Sequence, residues 1–232
     1  MLTSSRVVDT LQINLNDFDS LYYKGLAMAK LGKHEESIVC FDKALEINPN
    51  HRKTLSKKGI ALAKLGKDEE AIVCFDKALE INPNHMNTLF NKGLLLNFLE
   101  RFEKAIASFD MALEINPNDF DTLYEKGIAL AKLGKHEEAL ASFIKSGIAL
   151  AKLGKHEESL AFFDMALEIN PNHMKTLSNK AVVLARLGKY EEALASFDMA
   201  LEINPNDLDI LSNKYLALAK LNQKKNNILL EN

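Results

Sequence analysis

No stretch of this chain is apolar over the roughly 18 residues that a membrane-spanning helix needs, and a membrane protein is not expected. The opening residues, MLTSSRVVDTLQ, lack the apolar core of about 7–15 residues that marks a secretory leader. Cysteine is scarce: Cys40 and Cys74 occupy the same place in two copies of IVCFDKALEINPN, where most sister copies carry serine. Both read as small buried side chains, not as a disulfide or a metal pair. These absences together make a cytoplasmic protein the expectation. Charge of one sign is missing as well. The net charge is −3 and lysine alternates with glutamate, so no broad basic field exists and nucleic acid is a disfavoured partner. Glycines occur singly, without a phosphate-cradling loop. The strings HEES and HEEA resemble half of a zinc-protease motif, but Ile38, Leu140 and Leu160 stand where the second histidine is needed. No nucleophile–base pair, metal set or cofactor motif is visible, so the chain reads as a non-enzyme with no catalytic residue, no metal and no cofactor.

Proline is also sparse, and its placement carries the most information. All five prolines, Pro49, Pro83, Pro117, Pro171 and Pro205, sit in the string EINPN, with gaps of 34, 34, 54 and 34 residues. A fixed period of this size marks a stacked repeat array, in which each unit packs mainly on its neighbours.

The unit is clearest from residues 51 to 83. Leu55, Gly59, Ile60, Leu62 and Ala63 recur at helical spacing and stop at Leu65-Gly66. Glycine just past a helix end takes the left-handed cap conformation cheaply. Asp68, Glu69 and Glu70 then place negative charge at the start of a second helix carrying Ala71, Ile72, Phe75, Ala78, Leu79 and Ile81. Pro83 ends it, and Asn84 is the expected N-cap of the next helix. His51, His85 and His173 after NPN, and His34, His136 and His156 after the glycine, are expected to be solvated turn residues. Each helix is only three to four turns long, so stability must come from stacking.

This unit resembles the tetratricopeptide repeat, on Gly59, Ala71, Phe75, Ala78 and Pro83 and their equivalents over roughly residues 5–221. The resemblance implies an all-α, right-handed superhelical solenoid. Its divisions are an orphan helix at 1–17, repeats at 18–51, 52–85 and 86–119, a truncated repeat at 120–145 fused to the next, repeats at 146–173 and 174–207, and a capping helix and tail at 208–232. The small residues allow close helix approach, and the phenylalanine is expected to fill the space between units.

Three departures stand out. Residues 5–25 parallel residues 107–127, making residues 4–14 an orphan second helix with Leu15 in place of proline. Residues 208–221 form an orphan first helix, with Tyr215 for the small residue and Asn222 for the capping glycine; the polar run 222–227 behind it reads as disordered. Around residues 141–155, 14 residues are missing relative to two full periods. That is close to four helical turns, which keeps the apolar stripe in phase. The spacing predicts one helix from about His136 to Lys152, with Gly147 costing about 1 kcal/mol, a break at Ser146-Gly147 being the alternative, and a change of stacking angle dividing the array there.

The resemblance also implies a peptide or partner helix bound to the first helices, hence an interaction scaffold. Units are otherwise near copies, so the differing first-helix positions are the candidate groove residues: Asp19, Tyr22, Tyr23, Lys53, Lys57, Asn87, Phe90, Asn91, Asn97, Tyr124 and Glu125, with packing between neighbouring first helices the alternative for Tyr22, Phe90 and Tyr124. The lysine–asparagine clamp by which some relatives hold acidic chaperone tails is missing, since its positions carry Tyr22/Leu26, Ser56/Ile60, Phe90/Leu94, Tyr124/Ile128 and Ser178/Val182. The expected partner is a protein or peptide. Self-assembly into a homo-oligomer through the orphan helices or the interrupted hairpin is the second reading.

Overall fold

The computed structural model describes residues 17–230, and those residues form twelve helices and no strand. The orphan second helix expected at residues 4–14 lies outside them. The helices are α1 (Phe18–Lys30), α2 (His34–Ile47), α3 (Arg52–Lys64), α4 (Asp68–Ile81), α5 (Met86–Phe98), α6 (Phe102–Ile115), α7 (Phe120–Lys132), α8 (His136–Lys152), α9 (His156–Ile169), α10 (Met174–Arg186), α11 (Tyr190–Ile203) and α12 (Leu208–Leu230). They fall into two compact units, Met1–Glu100 and Arg101–Asn232. The first holds the antiparallel hairpins α1/α2 and α3/α4, closed by α5. The second runs from α6 through α7, α8 and α9 to the hairpin α10/α11, and ends on α12.

Each hairpin turns on local chemistry. Gly66, at φ 72°, ends α3, and the following Lys67 amide donates to the Leu62 carbonyl at 3.0 Å, the bond pattern of a left-handed C-cap. Glu100 performs the same turn without glycine, at φ 56°. Asn222 does not turn at all. With no left-handed residue there, α12 runs on to Leu230, so the segment expected to be disordered is helical.

The helix starts differ from expectation too. The N-cap of α5 is His85, not Asn84, whose amide instead donates to the Asn82 side chain at 3.1 Å. His51, His85 and His173 are half-buried caps, not solvated turn residues: each Nδ1 accepts from the backbone amide of the threonine three residues on, at 3.3 Å. Asp17 and Asp119 do the same work for α1 and α7.

The core is built from the small residue of the first helix and the phenylalanine of the second. A Cβ placed on Gly59 would lie 2.7 Å from Cε1 of Phe75, and one on Gly127 would lie 2.6 Å from Cε1 of Phe143. The phenylalanine is therefore seated first on its own hairpin, and only then reaches the next unit, where Phe75 clusters with Leu62, Ala71, Cys74 and Leu95. Where serine replaces the facing alanine, its hydroxyl donates to the glycine carbonyl: Ser37 to Gly25 at 2.9 Å and Ser159 to Gly147 at 2.7 Å. Cys40 and Cys74 are buried free thiols, and burial pushes that of Cys74 above its ordinary range.

A ladder of ion pairs repeats along the array. The lysine before the small residue of each first helix meets the aspartate after the phenylalanine of the preceding second helix: Lys58–Asp42, Lys92–Asp76 (2.6 Å), Lys126–Asp110 (2.5 Å), Lys180–Asp164 (2.6 Å) and Lys214–Asp198. Burial alone lowers the Lys58 pKa, but the hydrogen bond and charge of Asp42 outweigh it and hold the ammonium above its ordinary value.

The fused segment is a single helix, α8. Its first half is the second helix of the hairpin with α7, through Phe143 on Gly127. Its second half is the first helix of the hairpin with α9, through Gly147 on Phe163. Gly147 is thus a seat for a ring. The deletion removes both partners of one ladder step: Ile144 stands at the aspartate position and Ser146 at the lysine position. Both are buried, and the Ser146 hydroxyl donates to the Phe120 carbonyl at 3.1 Å. Gripped on both sides, α8 lies inside the second unit. The division of the chain falls between Glu100 and Arg101, not near residues 136–155 as expected.

Candidate ligand surface on the first helices

In the first unit the first helices α1, α3 and α5 lie side by side. Tyr22 reaches from α1 to the His51 ring that caps α3, at 5.4 Å and 79°, and the Thr88 hydroxyl of α5 bonds the Ser56 hydroxyl of α3 at 3.0 Å. Leu26, Ile60 and Leu94 recur at one position of this row and are half-buried, forming an apolar floor. Around the floor the chemistry changes from helix to helix. Asp19, Lys53 and Asn87 occupy one exposed position; at another, Tyr23 and Lys57 are exposed and Asn91 is half-buried. The Asn91 side-chain amide is tied to the Asn87 carbonyl at 2.5 Å. Asn97 is half-buried, and Phe98 beside it is 78% exposed.

The aromatic candidates divide. Tyr23 projects, at 64% exposed. Tyr22 is half-buried among Phe18, Phe41 and His51, and burial raises its phenol pKa. Phe90 is half-buried.

In the second unit Tyr124 is half-buried against Phe143, at 6.3 Å, and against Phe162 of α9, at 5.3 Å and 88°. Glu125 beside it is half-buried. Phe162 was not singled out from the sequence, although the signal was present: its position carries Cys40, Cys74, Ser108, Ser142 and Ser196 elsewhere. Loss of the hairpin brings α9 up to α7, and the larger ring fills the gap between them. The same approach sets Lys155 over the Phe120 ring at 5.2 Å. Asp121 is raised in pKa by burial, with Asp119 and Glu158 adding to the effect against Lys155.

Two shallow depressions also follow the first helices of this unit. One is lined by Ile148, Ala151, Asn179, Val182 and Arg186 of α8 and α10. The other lies between α10 and α12, against Val182, Arg186, Asn213, Leu216 and Lys220, with Tyr190 of α11 at its edge. The basic row Lys30, Lys64, Lys132, Lys152 and Arg186 is exposed, and each member stands in the last turn of its helix, where a cation complements the dipole. Among the described residues no three histidine, cysteine or acidic side chains converge as metal ligands, and no helix is long and apolar enough to cross a membrane.

An array of paired helices held by small-residue and phenylalanine seats defines an all-α helical-hairpin repeat protein. Family comparison gives the particular kind: tetratricopeptide repeat models match residues 18–51, 53–85, 87–119 and 175–207, with two further models of the same repeat at 108–141 and 144–173. The chain belongs to the tetratricopeptide repeat family, whose members are generally protein-binding. No curated protein matches it in sequence. Among solved structures it is similar to YrrB, described as a TPR protein with an unusual peptide-binding site, at 22% identity and a TM-score of 0.53, covering 91% of this chain and 97% of that one. MamA residues 41-end from Desulfovibrio magneticus RS-1 aligns at 20% identity and 0.54, covering 82% and 97%. A tetratricopeptide repeat protein from Parabacteroides merdae aligns at 18% and 0.53, covering 87% and 98%. Likeness at this identity speaks for the fold.

Proposed function

We propose that this protein is a non-enzymatic adaptor that binds a peptide segment or partner helix across α1, α3 and α5. The observation that carries the reading is the contrast within that row. The packing positions repeat almost verbatim, while the exposed positions change chemistry, from Asp19 and Tyr23 through Lys53 and Lys57 to Asn87. Packing alone requires no such variety. An apolar floor bordered by the exposed Tyr23 and Phe98 and a few charged and amide groups suits a ligand with a hydrophobic anchor and flanking polar groups. The family supports the reading, as does the peptide-binding site described for YrrB, which shares the fold.

The test is selection of a random peptide library on the full chain, followed by titration of an enriched peptide. Tyr23→Ala and Lys57→Ala, both at exposed positions, are each expected to weaken binding at least about tenfold with helicity unchanged. A library that yields no binder, or binders indifferent to both changes, contradicts the proposal.

A further inference from the structure

Asn222 stands where the other first helices are followed by a turning residue, so α12 continues past the start of α11. Two cavities lie along it, of about 370 Å³ and about 320 Å³, and they adjoin at Tyr190 and Lys220. The first, against α10, has an apolar floor of Val182, Ala185 and Leu216 and is bordered by Arg186 and Lys220. The second is lined by Lys220, Gln223, Lys224 and Asn227 of the extended part of α12. Leu216, Lys220, Lys224 and Asn227 recur every three or four residues and therefore share one face of the helix.

The charge of this cleft runs against that of the chain. Acidic residues outnumber basic ones overall, 32 to 29, yet Arg186, Lys220 and Lys224 line the two cavities and no acidic residue does. None of these three cations has an ion-pair partner among the described residues, whereas their neighbours Lys214 and Lys225 meet Asp198 and Glu191. Lys220 and Lys224 are moreover like charges one turn apart, an arrangement that weakens a helix. An anionic ligand would relieve their repulsion and gain from all three.

We propose that the cleft between α10, the start of α11 and α12 binds a short acidic segment of a partner protein. An apolar residue of the segment sits on Val182 and Leu216, and neighbouring acidic side chains meet Arg186, Lys220 and Lys224. The face from Asn213 to Asn227 is about 20 Å long, room for about six extended residues. A peptide fits better than a single-stranded nucleic acid, because the floor is aliphatic and Tyr190 is the one exposed-edge ring, too few for successive bases to stack. The site lies apart from α1, α3 and α5 and does not depend on the ligand proposed there.

Fluorescence anisotropy of the full chain with three pools of labelled hexapeptides tests this. The first pool carries one leucine or phenylalanine among aspartates and glutamates. The second replaces the acids by lysine, and the third replaces the apolar residue by serine. The first pool is expected to bind at least about tenfold more tightly than either other, and more weakly as salt rises. Lys220→Glu combined with Lys224→Glu should cost at least about tenfold with helicity unchanged. Lys43→Glu combined with Lys77→Glu, at exposed positions of α2 and α4, alters the net charge equally and should bind like wild type. Leu216→Ser, at a position 58% exposed, should erase the preference for the first pool over the third. The proposal is overturned if the first pool does not bind, if the third binds equally, or if binding survives the Lys220 and Lys224 changes. Equal loss in the Lys43 and Lys77 variant, or tighter binding of a thymidine oligonucleotide, would overturn it as well.

Discussion

The ring of Tyr124 stands edge-on to that of Phe162, centroids 5.3 Å apart and planes at 88°. It is the packing signature of the fused segment, because Phe162 occupies a position that is cysteine or serine in every other second helix among the described residues. Phe162→Ser, which restores the ordinary residue, is expected to lower stability by about 2 kcal/mol, below the usual cost of emptying a fully buried phenylalanine because this ring is half-exposed. Urea unfolding checks it; a loss under about 0.5 kcal/mol would mean that the ring is dispensable there.

Glu100 makes its turn at φ 56°, where five equivalent turns use glycine. A side chain in this left-handed region costs about 1 kcal/mol. Glu100→Gly should therefore raise stability by several tenths to about 1 kcal/mol, the gain being reduced by the greater freedom glycine gives the unfolded chain. A thermal melt with an unchanged or lowered midpoint would contradict the strain.

His85 caps α5 through Nδ1 and can accept only while neutral. Burial, with Arg52, Lys57 and Lys53 nearby, holds its pKa below the ordinary value, and His51 behaves alike under burial, Lys53 and Arg52. A depressed histidine pKa means that the unfolded chain takes up protons first as pH falls. The cap contribution, about 1 kcal/mol, is thus full above pH ~6.5 and is lost progressively below it. His85→Asp, using the cap residue of α1 and α7, should flatten the fall in urea midpoint between about pH 7 and 5.5. Equal pH dependence in wild type and variant would refute the role.

The Lys92–Asp76 step of the ion-pair ladder should show a coupling of about 0.5–1 kcal/mol in a double-mutant cycle, shrinking with added salt because Asp76 is 46% exposed. A null coupling at low salt would make the ladder incidental.

The repeat, the hairpins and the single helix from His136 to Lys152 were all legible in the sequence, because proline spacing and helical phase are local signals. The ladder was not, since each pair joins residues 16 apart on different helices, and only three-dimensional stacking shows why Ile144 and Ser146 depart together. The histidine caps were missed for a related reason. Histidine is an unusual cap, and its role here depends on a threonine three residues on presenting its amide to Nδ1. Among the candidate groove aromatics, sequence could separate neither Tyr22 nor Tyr124 from Tyr23, because exposure depends on which ring the adjacent helix meets. The differing positions stood out, but difference alone does not tell packing from recognition.

The most direct test of the ligand surface is hydrogen exchange of the full chain with and without a library-selected peptide. Slowed exchange confined to residues 18–30, 52–64 and 86–98 is the predicted result. Protection on α2 and α4, or only within the second unit, would contradict a ligand surface built from α1, α3 and α5.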